Sequence, residues 1–533
     1  MNRRQFLQLG GASLLAGCSR PGLPPVPPWL PVTIRRPGMA EGHWLRNLKS
    51  LPPSAGERRT RTVIIGSGIA GLTAAWRLVQ AGYHDFVLLT GPEPFGNADG
   101  GRWQDVAYPR GAHYLPLPTR ESTHVRELLQ SLGVIEADAF SERPRYDERF
   151  LLHAGAERLL VDGHWQDGLF PAHSSSAEAQ QHGRFMAFVN NLRGRTGRDG
   201  KPLFAIPVVL SSQDADWRAL DRQTFGQWLT ANGYTAPGLR WYLDYCCRDD
   251  YGLDAAQVSA WAGLHYFAAR NGLGRHTEED AVLTWPEGLQ ALAQPMAAAC
   301  RAQQLPGLAL QLREHGGGVS VDYADRAFGK VMTLKAQRVI CATPLHVAAR
   351  LMPPLMTDLG FDVHTDLPPH APWLVANLYL DRFPEELPGE EQAWDNVVFG
   401  SRGLGFVVAT HQLIRAAKPA RTVLTAYTAL AERSPGDSRL WLQQTSQAEL
   451  VAQGLVDVVT AYGPQLWRGA KGLELTLRGH AMASPAPGYL SQQGLRALRE
   501  TDGKVLFAHA DLSGYSVFEE AAWWGWRAAG LII

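Results

Sequence analysis

The stretch VIIGSGIAGL sets Gly66, Gly68 and Gly71 at the spacing GxGxxG, a pattern whose chemistry is the capture of a dinucleotide pyrophosphate. Gly66 permits a tight turn, Gly68 lets backbone approach the phosphates, and Gly71 lets a helix lie close on a strand. Ile69 and Ala70 open that helix, so free N–H groups and the positive end of the helix dipole face the anion. Thr90 occupies the position where such units usually carry a carboxylate for the ribose hydroxyls; it offers fewer hydrogen bonds, and Glu93 shortly after it is a possible substitute. Further along, Gly100, Gly101 and Arg102 place a guanidinium beside two glycines, which can reach a diphosphate in a bidentate way with little obstruction. His480, in LRGHAMASPAPGYL, carries an imidazole that titrates near neutral pH. It reads either as a substrate-facing proton acceptor or as a histidine hydrogen-bonded in a buried turn.

The elements needed to position these groups are legible around the glycine turn. Val63–Ile65 is a short, fully apolar, β-branched run of the kind buried on both faces of a parallel sheet. Ile69–Gln80 follows with helical periodicity, Gly82 closes it, and Asp85–Leu89 reads as a second strand. Strand, glycine turn, helix and strand in this order give the motif its structural context.

The chain has 533 residues, enough for two domains or one large composite domain. Apolar residues make up 45% and charged residues 19%, ordinary for a globular protein. Lys plus Arg equals Asp plus Glu at 51 each, with no long basic block, so nucleic acid is not an expected partner. Of the five cysteines, Cys246 and Cys247 are adjacent, and neither they, Cys300 nor Cys341 sit in a spacing that demands a disulfide. No CxxC or HExxH occurs, so no metal is expected.

The opening segment MNRRQFLQLGGASLLAGCSR resembles a twin-arginine export signal ending in a lipobox at Leu15–Cys18. Its apolar run is too short to span a bilayer. The expectation is a periplasmic, membrane-anchored lipoprotein, exported folded and lipidated on Cys18. Residues 19–57, beginning SRPGLPPVPPWLPV, read as a proline-rich tether.

Taken with these segments, the chain resembles the flavin amine oxidase superfamily, which includes monoamine and polyamine oxidases and, more distantly, phytoene desaturases and protoporphyrinogen oxidase. The segments that carry the resemblance follow the family's order: the glycine turn, NADGGRW, YPRGAHYL, LTWPEGLQAL, RVICATPLHVAARL and VLFAHADLSGYSVFEEAAWWGWRAAGLI. The resemblance implies FAD as cofactor, with Arg102 on its pyrophosphate, Gly111 and Ala112 beside the flavin ring, and Asp511 on the ribityl chain or pyrophosphate. The helix after Asp511 would point its N-terminus at the flavin, and Tyr515 would form an aromatic wall beside it. His113 and Tyr114 lie in the flavin-edge segment. No cysteine follows Cys341, so the FAD is expected to be non-covalent. His509 replaces the glycine usual before the acidic residue.

The implied fold is α/β: a Rossmann-like FAD-binding domain from residues 58–120, 282–351 and 500–533, interleaved with an α+β substrate domain from 121–281 and 352–499. The implied activity is oxidation of a small organic substrate, an amine or polyamine being the leading candidate, by hydride transfer to flavin N5. Oxygen or a membrane electron acceptor would then reoxidise the flavin. The lysine typical of amine oxidases is absent from APWLVANLYLDRF, where Trp373 and Asn377 stand instead. A desaturase-like C–C dehydrogenase and a non-catalytic FAD-binding lipoprotein therefore remain as alternatives. Carboxylates in the pocket would favour an amine. The tryptophans of the first insert (Trp165, Trp217, Trp228, Trp241 and Trp261) and Trp523 and Trp524 read mainly as core, and Arg248, Asp249 and Asp250 as a capped, solvated turn.

Overall fold

The computed structural model describes residues 26–533 apart from 154, 173–174, 326–328, 387–388, 414–416 and 418. The signal-like segment, with its Arg-Arg pair and Cys18, lies outside the described residues. Among the described residues no helix is long and apolar enough to cross a membrane.

A five-stranded parallel sheet runs in the order Gln304–Leu305, Phe86–Leu89, Thr62–Ile65, Arg338–Cys341, Val505–Phe507. Its central strands are buried at every position, as the unbroken apolar runs require when helices cover both faces. Each Val, Ile or Leu so buried contributes roughly 1.5–3 kcal/mol relative to exposure. The helix Ile69–Gln80 leaves the first strand through the glycine turn. The C-terminal helix Phe518–Gly530 packs on it so closely that a Cβ at Gly525 would stand 2.0 Å from the Ala70 carbonyl oxygen. A four-stranded sheet (Gly307–His315, Gly318–Asp325, Val331–Ala336, Glu57–Arg59) extends this half of the molecule. The fold is thus a Rossmann-like α/β domain joined to a second, mixed α/β unit.

The second unit is an eight-stranded sheet whose centre pairs His370–Leu380 antiparallel with both Thr422–Ala429 and Ala470–Ala483. Its two faces serve different cores. Trp373 and Val375 pack into the cluster under the helices Ser176–Leu192, Pro237–Tyr251 and Ala260–Ala268, while Leu374, Ala376 and Leu378 face a second cluster closed by Pro435–Gln444, Gln447–Gly454 and Val456–Tyr462. The alternation is the period-2 rule of a strand covered on both sides. Of the seven tryptophans expected in the core, Trp261 and Trp524 are fully buried and Trp228 nearly so, while Trp165, Trp217, Trp241 and Trp523 are half-buried against the core clusters.

The tether reading of residues 19–57 requires correction over its later part. Val32–Arg35 adds a parallel edge strand to the eight-stranded sheet, pairing with Leu473–Thr476, and Met39–Asn47 is a helix. Leu30 and Leu45 are buried. Proline density signals extension, but an extended β-branched run beside an open sheet edge finds hydrogen bonds there that a free spacer lacks.

Candidate functional site

A cavity of about 1360 Å³ lies between the two sheets, at the carboxyl ends of the parallel strands, larger than the roughly 300–1,000 Å³ of an ordinary small-molecule pocket. At one end is the glycine turn. Gly66 has φ +103°, and a Cβ there would stand 2.7 Å from the Ala342 carbonyl oxygen, so the turn requires glycine. Gly71 abuts backbone: its Cβ would lie 1.9 Å from the Gly66 oxygen. A Cβ at Gly68 would meet nothing within 4 Å, and Gly68, Ile69 and Ala70 line the cavity. The helix carries no side-chain cap, so its first N–H groups are left for a ligand.

Thr90 also lines this end. Glu93 also lines the cavity and pairs with Arg478 Nη1 at 2.6 Å. Arg478 is 9% exposed, donates from Nη2 to the Gly96 carbonyl at 3.0 Å, and has a buried Nε without a partner. Arg478 lines the cavity, and a guanidinium there fits an anionic ligand. The N-terminal strap completes the wall with Arg36, Met39, His43 and Arg46. Neither Arg478 nor the strap was marked in the sequence, since each reaches the site through tertiary placement alone.

Arg102 and Gly101 are corrections. Both belong to the hairpin Gly100–Trp103/Val106–Pro109, where side chains alternate between faces. A Cβ on Gly101 would lie 2.3 Å from the Tyr108 ring, so this glycine makes room for an aromatic. Arg102 projects the opposite way, exposed, with Nη1 3.4 Å from the Asp105 carbonyl, beside a separate groove of about 270 Å³. Gly111 and Ala112, by contrast, do line the main cavity.

Midway along the cavity Asp511 is fully buried and accepts the Leu345 N–H at 2.8 Å and His370 Nε2–H at 3.1 Å. Burial alone would raise its carboxyl, but His509 and His370 carry it well below the usual carboxylate range. His509 caps the turn Ala510–Ser513, its Nδ1 accepting the Asp511 backbone N–H at 3.2 Å, which accounts for a histidine at the glycine position. His480 opens onto the cavity and stacks on His346 with centroids 4.4 Å apart. Its side chain is exposed. The surrounding protein, then His346, Arg439 and His370, lower its pKa to about 2, so it is a neutral imidazole at pH 7.

Tyr515 does not form the expected aromatic wall. It is 1% exposed, packs edge-on against Tyr251 and His265, and donates to Glu520 Oε1 at 3.3 Å. An aromatic ring with its hydroxyl satisfied in the core gains more from burial than from an open wall. The residues before the C-terminal helix (Ser516 and Val517) and its first two, Phe518 and Glu519, do reach the cavity.

The inner end is aromatic and acidic. His113 stacks on Tyr427 (4.5 Å, 22°), Trp373 stands edge-on to the same ring at 6.5 Å, and Tyr114 closes the wall. Burial lowers the His113 pKa to about 3. Asp249 and Asp250 come from the helix Pro237–Tyr251 and reach the cavity with Arg270, which pairs with Asp250. They are not the solvated turn expected from sequence: helix continuation to Tyr251 turns them inward. Burial first, then the charge of Asp250, raises the Asp249 pKa to about 7, against the opposing effects of Arg270, Arg248 and the Tyr114 hydroxyl. A carboxyl so tuned can hold a cation or take up a proton near neutrality.

By sequence, residues 64–132 match a model of an NAD(P)-binding Rossmann-like domain. No curated protein matches the chain at the sequence level. Among solved structures, putrescine oxidase bound to putrescine is similar at a TM-score of 0.62 and 17% identity, over 89% of this chain and 99% of that one. Cyclohexylamine oxidase from Brevibacterium oxydans gives 0.61 and 18%, over 89% and 98%. A CLA-producing fatty acid isomerase from P. acnes gives 0.59 and 16%, over 88% and 98%. The chain therefore has the fold of these proteins.

Proposed function

We propose that the protein is an FAD-dependent oxidoreductase that oxidises a small amine or polyamine. The observation that carries this reading is the inner end of the cavity, where Asp249 stands beside Tyr114, with Trp373 and Tyr427 on the same cavity wall. A carboxylate among aromatic faces suits an alkylammonium group through charge and cation–π attraction. The similarity in fold to two amine oxidases supports it.

FAD fits the residues present. Gly68, Ile69, Ala70 and Arg478 would hold the pyrophosphate, the strap and Thr90 the adenosine, and Asp511 the ribityl chain, with Gly111 and Ala112 beside the ring. Bound there non-covalently, it supplies an acceptor for a hydride from the substrate carbon, with oxygen or a membrane acceptor as final oxidant. Asp249 accepts the ammonium proton at its carboxylate oxygens, because only the neutral amine releases hydride readily. Tyr114 and Tyr427 orient the carbon chain and keep water from it. Lysine is not needed if a carboxylate takes this proton. The cellular setting proposed is the periplasmic face of a membrane, with the N-terminal lipid on Cys18.

The test is an absorbance spectrum of the purified protein before and after anaerobic addition of putrescine, spermidine and monoamines. A flavin band bleached by an amine supports the reading, and Asp249→Asn should slow that bleaching by roughly 100-fold. In the parent protein the rate should rise as pH passes through about 7, and this arm should vanish in the variant. Bleaching by fatty acids alone, or a band that no compound bleaches, would overturn the amine assignment. Stability runs the other way. The native carboxyl binds its proton up to about pH 7 and an unfolded one only to about 4, so stability falls between those values, and Asp249→Asn should flatten that decline.

A further inference from the structure

Three histidines from three separate elements converge beside Asp511. His346 is on the helix Leu345–Leu351, His370 begins the strand His370–Leu380, and His480 is on the neighbouring strand Ala470–Ala483. One nitrogen of each lies within 4.8 Å of the others. We propose that they form a site for a first-row divalent metal ion such as zinc, nickel or copper, with its remaining coordination positions open to the cavity.

Three observations support this. The donor set is purely imidazole, which suits these metals and not calcium or magnesium. His370 is fixed by Asp511 through Nε2, which leaves Nδ1 as the free lone pair; a carboxylate behind a histidine is the usual outer support of a metal ligand. His346 Nδ1 is buried with no hydrogen-bond partner, a cost that a bound ion would remove.

Arg439 opposes a cation here, since its guanidinium donates to the His370 carbonyl at 3.3 Å; the buried Asp511 carboxylate offsets that charge. Bonds of about 2.0–2.1 Å draw tetrahedral nitrogens to about 3.4 Å from one another. The stacked His480 must therefore turn its ring, and as the most exposed of the three it has room to do so. The three histidines would bind the ion whatever substrate the flavin site takes.

The test titrates the full-length flavoprotein with copper(II) and records its paramagnetic resonance spectrum, with zinc titration calorimetry alongside. The expected result is one ion per chain, hyperfine structure from nitrogen ligands, and competition between zinc and copper for the same site. His480→Gln and His346→Gln should each weaken zinc binding by at least about tenfold, with flavin content and thermal unfolding as controls for folding. His480→Gln is the safer variant because it faces the cavity. Copper spectra without nitrogen couplings, zinc binding weaker than about 1 mM, or affinities unchanged in a folded His480→Gln protein would overturn the proposal.

Discussion

At the glycine turn, Gly66, Gly68 and Gly71 act through backbone within a single strand-to-helix connection, whereas the inner end of the same cavity gathers Tyr114, Asp249, Trp373 and Tyr427 from separate elements. The first end works by what is absent, a missing Cβ, and the second by side chains whose meeting depends on the register of the eight-stranded sheet, one helix and the separate strand pair Tyr114–Pro116/Val282–Thr284. Local backbone geometry is thus written in the chain as a motif. Side-chain constellations built across a sheet are not.

The largest effect is expected within the turn itself. Gly71→Ala would drive a methyl to 1.9 Å from the Gly66 oxygen, and because backbone cannot yield as a side chain can, a loss of about 3 kcal/mol or more is expected in denaturant unfolding. Gly68→Ala meets nothing within 4 Å and has an ordinary φ of −70°. It should leave unfolding nearly unchanged while lowering FAD affinity by roughly 10–100-fold, measured by flavin fluorescence on binding. Equal destabilisation by both would mean that the turn is only a packing motif.

Next in size is a pair of arginines. Arg478→Gln removes the cavity-facing guanidinium and unpairs Glu93, so FAD affinity should drop by roughly tenfold or more. Arg102→Gln, on the outer face of its hairpin, should leave affinity and stability within error. The reverse result would restore the role that the GGR sequence suggests.

That pair shows where sequence reading ends. The parallel sheet around Val63–Ile65 was legible because fully buried strands are continuous apolar runs, and the glycine spacing because backbone constraints leave few substitutes. Asp511, matched from the C-terminal segment, lies among the cavity-lining residues. Arg102 and Tyr515 were misjudged, since a residue's neighbours along the chain do not say which face of a hairpin or loop it takes. Asp249, Arg478, His346 and His370 carry no spacing signal at all, because their partners lie in distant segments, and His480 stood out in the sequence without those partners.

The strap gives the smallest effect and the finest test. Arg36 is half-buried and Arg46 exposed, so water and salt screen both, and neither can hold an anion as Arg478 can. Yet they line the cavity at the end where Thr90 stands in place of a carboxylate. Arg36→Ala should therefore weaken FAD binding only about threefold at physiological ionic strength, and more at low salt, as an interaction screened over a Debye length requires. The register of Val32–Arg35 on Leu473–Thr476 involves main chain and would persist in the variant, so the effect reports charge and not loss of the edge strand. A threefold loss independent of salt would show instead that the strap acts by covering the adenosine. No loss at any ionic strength would confine its role to closing the sheet edge, and leave the cofactor end to the glycine turn and Arg478 alone.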